Sequence, residues 1–217
     1  MTESESASKQ RLFDEIHSEL AWARVTWRTY HQLFGSAERR DVLQRAASGF
    51  AWIVARALAN DLMMRLGRLL DPPKSLGQDN LCLERLVAAC EAEYPSASNG
   101  LRKALYDVRT IAAPLKGARN KRLAHNDLPL RIGEGPPPMM LPTRSEIDEI
   151  LRQLEDLANS IAALAGRPPI PYDRIEQMGD ADQLMRQLLK AEAYRHHVTS
   201  GRIDPRRDHL TFANDAV

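Results

Sequence analysis

Seven apolar residues, Phe13, Ile16, Leu20, Ala23, Trp27, Tyr30 and Phe34, recur at alternating steps of three and four. That period puts all seven on one side of a single long helix ending at Phe34-Gly35, because an α-helix returns to the same face every 3.6 residues. A stripe of this length is a core seam, or the seam for a partner helix, and it has to be covered by other helices. No segment of the chain shows the strict alternation of a half-buried strand.

The rest of the chain repeats the pattern. A second helix is expected from Ala37, its stretch Phe50 to Leu70 apolar on most sides, as in the central helix of a bundle, and stopped by Asp71-Pro72-Pro73. Within it Asp61 and Arg65 are four apart and Arg68 and Asp71 three apart. At those spacings each pair is an ion-pair candidate, and any of the four could instead line a site. A third helix is expected over Asn80–Glu93, with Asp79 or Asn80 as N-cap. A fourth begins near Leu101 and is interrupted around Pro114 and Gly117. Residues 129–142, with Pro136-Pro137-Pro138, read as an extended loop. Thr143 and Glu146 fit a capping box that starts a fifth helix, carrying Ile147, Ile150, Leu154, Leu157, Ile161 and Leu164.

The expected architecture is all-α, an antiparallel bundle of about five helices with a C-terminal helical appendage. Its parts are a disordered, polar start over residues 1–8, a helical domain over 9–165, and 166–217 as linker, short amphipathic helix (Ala181 to Tyr194) and polar tail.

With 217 residues, 43% hydrophobic and 27% charged, the chain can bury a full core. Phe50–Leu58 is its longest nearly apolar run, far below the roughly 20 residues a membrane helix needs, and the polar, acidic start lacks the pattern of a secretory signal. The expectation is a cytoplasmic protein without membrane contact. Cys82 and Cys90 read as a reduced structural pair with no metal-ligand spacing. No cofactor and no metal are expected. The net charge of +1 is uninformative, but residues 101–125 carry seven Lys/Arg against one acid, Asp107. Such an excess can attract phosphates.

The chemistry concentrates in residues 119–127, Arg-Asn-Lys-Arg-Leu-Ala-His-Asn-Asp. Arginine followed by histidine after four to six residues is a weak signal alone, since Arg11/His17, Arg24/His31 and Arg202/His209 repeat it. His17 and His31 are expected on an exposed or flanking face of the first helix and His209 in the tail. On a straight helix Arg119 and His125 would be about 600° apart, or 240° net, so their convergence needs the preceding helix break or the reach of the arginine.

The arrangement Leu115-Lys116-x-x-Arg119-Asn120-Lys121-x-x-Ala124-His125-x-Asp127, preceded by Arg65-Leu66-x-Arg68-Leu69-Leu70-Asp71-Pro72, resembles the AbiU-type abortive-infection branch of the HEPN superfamily, over about Lys9 to Ala165. The resemblance implies a helical ribonuclease of a toxin or phage-defence system, cleaving RNA without metal by attack of a 2′-hydroxyl on the adjacent phosphate. Arg119 and His125 would be catalytic, with Asn120 and Asp127 supporting them. Lys116, Lys121 and Arg122 would bind RNA phosphates, and Asp61, Arg65, Arg68 and Asp71 are possible lining residues.

One histidine falls short of an acid–base pair, and the resemblance implies two motifs placed across a two-fold interface, so a homodimer joining two copies in one cleft is expected. An antitoxin or other partner protein fits such a system. Some HEPN toxins have a tyrosine two residues after the histidine, where a partner nucleotidyltransferase modifies it; this chain has Asp127. The alternative is a catalytically silent HEPN-like dimer that binds RNA, a nucleotide or a partner protein, because phosphate contacts give affinity without chemistry. A purely partner-assembling bundle is a third reading.

Overall fold

The computed structural model describes residues 3–75, 77–119, 142–175, 177–202 and 204. Among these lie seven α-helices: α1 (Glu3–Phe34), α2 (Ala37–Leu69), α3 (Leu83–Glu93), α4 (Ser98–Ile111), α5 (Ala113–Arg119), α6 (Arg144–Leu164) and α7 (Ala181–Thr199). The fold is an all-α helical bundle. Among the described residues the sheet content is one antiparallel pair, β1 (Lys74–Ser75) and β2 (Gln78–Asp79), which the sequence pattern does not show because both strands are two residues long and exposed.

The chain forms two compact units, one of Met1–Arg28 with Ala57–Ile175 and one of Thr29–Arg56 with Glu176–Val217. Periodicity suggests a division near residue 165, whereas contacts divide the chain inside α1 and α2, because an apolar stripe runs on unbroken where a long helix passes from one core to another.

In the first unit Phe13, Ile16, Leu20, Ala23 and Trp27 of α1 are buried together with Leu62, Met63, Leu66 and Leu69 of α2. α6 packs mainly on α4, and both lie against α3. The α6 stripe is buried at Ile150, Leu154, Leu157 and Ile161, with Leu151, Ala158 and Ala162 beside it. The expected capping box is present: Thr143 Oγ1 accepts from the Glu146 backbone N–H at 3.3 Å, and Glu146 Oε2 accepts from the Thr143 N–H at 2.6 Å. Thr143→Ala removes the side-chain acceptor and is expected to lower stability by about 1 kcal/mol in urea denaturation. At the other end Gly166, at φ 68°, closes α6 in a Schellman turn, with Arg167 N–H donating to Ala162 O at 2.9 Å.

Beyond Gly166 the chain returns along the unit as a strap. Asn159 exchanges two hydrogen bonds with the Ile170 backbone, at 2.9 and 3.1 Å. Arg28 donates to the carbonyls of Asp173 and Ile175. Tyr172 is buried with its hydroxyl against Nδ1 of His17. His17, expected on an exposed or flanking face, is buried, with the Tyr172 strap over it and 5% of it accessible.

Other boundaries differ for local reasons. α1 reaches back to Glu3 rather than starting at Lys9. α3 starts at Leu83, and its N-cap is Cys82, without a side-chain cap bond. Asp79 is instead paired with Arg85, and Asn80 Nδ2 donates to Pro72 O at 2.8 Å.

In the second unit α2 is interrupted at Ala47 (φ −165°, ψ 73°). Gln32 Nε2 donates to Asp180 at 2.7 Å, Arg39 pairs with Asp182 at 2.5 Å, and Arg45 pairs with Glu192 at 2.7 Å, tying α7 to the ends of α1 and α2. Buried apolar positions there are Leu33, Val42, Leu43, Ala51, Ala181 and Met185. The expectation that Phe50 opens a helix buried on most sides is not met, because Phe50, Trp52 and Ile53 are 65%, 60% and 59% exposed. Trp52 is covered in part by the Arg56 guanidinium, 4.9 Å from the ring centre.

Candidate functional site

The site is built where the end of α2 meets α5. α4 ends at Ile111 and Ala112 makes the break, slightly before the expected Pro114. Pro114 is then the second residue of α5, where its missing N–H leaves no intrahelical bond unmade. Leu115 is fully buried and anchors the short helix. Arg119 stands four residues on, on the same face, so it too is carried inward and is 9% exposed.

A buried guanidinium needs a counter-charge, and Asp71 supplies it from just beyond α2. Nη1 of Arg119 donates to Asp71 Oδ2 at 2.9 Å and Nη2 to Oδ1 at 2.8 Å, a two-pronged contact that fixes both position and plane. Arg68, the expected partner of Asp71, is not paired with it; Arg68 points to Glu19, 3.7 Å away, and remains 53% exposed. The reason is geometric, since the rigid fork of Arg119 offers the carboxylate two aligned donors. Asp71→Ala removes the two-pronged acceptor from the partly buried Arg119 guanidinium. It is expected to cost about 2 kcal/mol by denaturant unfolding, below the ~3–5 kcal/mol of a fully buried pair because Asp71 is 21% exposed.

The expected Asp61/Arg65 pair is present at 2.8 Å, and Arg65 also reaches Glu19 at 3.1 Å while Thr26 Oγ1 donates to Asp61 at 3.0 Å. Asp61 and Arg65 thus tie α1 to α2. Arg68 and Asp71 do line a cavity of about 240 Å³, with Glu19, Leu69, Asn80 and Leu81. A second cavity, of about 520 Å³, is bounded by Gly67, Leu70, Pro72, Glu84, Arg109, Ala112, Ala113, Leu115 and Gly117. Arg109 pairs there with Glu84 at 2.7 Å and reaches Asp71 O at 3.3 Å. Glu19 and Glu84 are the neighbours of the site that sequence reasoning missed, while Arg109 was legible only as one of the seven basic residues of 101–125 and not as the partner of Glu84.

The basic excess over residues 101–125 is not an open positive surface where its side chains are described. Arg102 pairs with Glu91, Lys103 with Asp107, Arg109 with Glu84 and Arg119 with Asp71. Counting along the chain misses acids brought in by other helices.

His125, Asn120, Lys121, Arg122 and Asp127 lie outside the described residues, as does His209, and so does the side chain of Lys116. Of the other decoys, His31 is half-buried. Cys82 and Cys90 are free and buried, and burial pushes both thiols up. Among the described residues no group of three or more His, Cys, Asp or Glu is arranged to hold a metal ion. Among them, too, no helix is long and apolar enough to cross a membrane.

Arg119, in the last turn of α5 and tied to Asp71 just beyond α2, immediately precedes the polar motif in the sequence. The family model HEPN AbiU2, described as AbiU2, matches residues 8–184. The chain belongs to the AbiU2 family of HEPN domains. The match runs past Ala165, so the strap with Tyr172 and the start of α7 belong to the AbiU2 domain rather than to an unrelated tail. No curated protein and no solved structure matches the chain.

Proposed function

We propose that this AbiU2-type HEPN protein is a metal-independent endoribonuclease of an abortive-infection or toxin system, acting in the cytoplasm as a homodimer. The observation that carries the reading is the Arg119–Asp71 pair, which presents a fixed, buried arginine at the entrance to the motif that contains His125.

The 2′-hydroxyl oxygen attacks the neighbouring phosphorus and the bond from phosphorus to the 5′-oxygen breaks. The products are a 2′,3′-cyclic phosphate and a 5′-hydroxyl. One group takes the 2′-hydroxyl proton and another protonates the leaving oxygen. His125 performs one of these transfers and the partner copy's equivalent performs the other. Arg119 stabilises the charge on the phosphorane, and Asp71 keeps its fork from wandering. Asn120 and Asp127 orient the pair; Lys116, Lys121 and Arg122 hold flanking phosphates. Such a nuclease is restrained by an antitoxin or partner protein until infection.

The test is incubation of the purified protein with RNA in excess chelator, followed by analysis of product ends. Cyclic phosphate and 5′-hydroxyl ends with undiminished rate are expected; loss of activity on chelation would replace the reading with a metal-dependent one. The second reading is a silent RNA- or partner-binding dimer, in which the same residues hold phosphates without chemistry. RNA binding without products at any protein concentration would decide for it.

A further inference from the structure

Gly67 lies within α2 in ordinary helical geometry, with no positive φ, so backbone conformation does not call for glycine there. Glycine in a helix costs stability relative to alanine, which makes its presence informative. Space explains it. A Cβ built on Gly67 would stand 2.5 Å from Arg119 Cδ, 2.6 Å from Nη1 and 3.0 Å from Nε. The arginine side chain therefore lies flat across the bare backbone of α2, and its tip meets Asp71 one helical turn on.

We propose that Gly67 is a positioning residue for Arg119: Gly67 and Asp71 form a cradle in which the glycine opens the channel and the carboxylate stops the end. What clashes with a Cβ is a side chain, not backbone, so a methyl group at position 67 displaces Arg119 rather than unfolding α2. Gly67 is buried, lines the 520 Å³ cavity and touches no substrate in this scheme.

The catalytic consequence rests on the ribonuclease reading, and two measurements separate them. The first is a double-mutant cycle in urea. Gly67→Ala is expected to lower the unfolding midpoint when Arg119 is present, and to raise it in an Arg119→Ala background, where only helix propensity remains. Equal shifts in the two backgrounds would overturn the cradle. This cycle needs no activity and stands whether or not the protein cuts RNA.

The second is cleavage by folded Gly67→Ala, with circular dichroism unchanged. kcat/KM is expected to fall about 10- to 100-fold, the effect of misplacing a positioned group by about 1 Å. The Arg119 Nε–H resonance should shift or broaden with it, a signature a merely structural role would leave in place. Wild-type cleavage with an equally active Gly67→Ala would overturn the positioning role. A wild type that does not cleave refutes the ribonuclease reading alone and leaves the stability cycle to decide the cradle.

Discussion

His125→Ala is expected to lower RNA cleavage by about 10²- to 10⁴-fold while leaving the fold intact, because a positioned general acid or base contributes that much. Histidine suits the role since its ordinary pKa lets it give or take a proton near neutrality. Arg119→Ala should reduce cleavage comparably, and it should also destabilise the protein by orphaning Asp71. That difference separates the two residues. A composite cleft, as proposed above, makes a further demand on the same assay. Co-expressed His125→Ala chains should poison wild-type ones, so that activity falls with the square of the wild-type fraction; a linear fall would place one complete site in each chain. Unchanged cleavage by His125→Ala would remove the residue from the mechanism.

The second large effect is a loss of stability in mild acid. Burial first, and the nearby Arg167 charge second, hold the His17 imidazole down from 6.5 to about 4, with Asp14 opposing. Its Nδ1 faces the Tyr172 hydroxyl, while Nε2 has no hydrogen-bond partner among the described residues, so the folded state has little to offer a second ring proton. Between pH 6.5 and about 4 the unfolded chain binds the proton and the folded one does not. Stability is therefore fully present above pH 6.5 and falls as the pH drops through this window. The loss should approach about 3 kcal/mol, taking ~1.4 kcal/mol for each pH unit. Urea midpoints measured across the window check it. His17→Phe should flatten the slope there even if it lowers absolute stability by leaving the Tyr172 hydroxyl unpartnered; a slope unchanged by the substitution would assign the acid sensitivity to other groups.

The strap that creates this sensitivity shows why some features were readable and others were not. Ile16 and Leu20 declared their burial through spacing, and Thr143 and Glu146 their cap through type and offset, because these are properties of one helix. His17 shares a helix with Ile16 and reads as flanking; Tyr172, far along the chain, closes over it. Phe50, Trp52 and Ile53 err in the opposite direction, being apolar enough for a core yet left exposed. The site divides in the same way. Arg119 and Asp71 both stand out in the sequence, but spacing pairs Asp71 with Arg68, whereas the fold pairs it with the arginine on α5. The acids that neutralise Arg102 and Arg109 likewise come from α3.

The sequence by itself determined the helical class, the buried stripes of α1 and α6, the Thr143 cap, and the likeness to the AbiU-type branch that residues 8–184 bear out. Those follow from period and local hydrogen bonding, which act over a few residues. Only the tertiary structure decided that Asp71 receives Arg119 and that Gly67 makes room for it, since charge pairing and close packing depend on distances between segments that no spacing along the chain encodes. The motif that begins at Arg119 therefore starts from an arginine whose direction is set by α2.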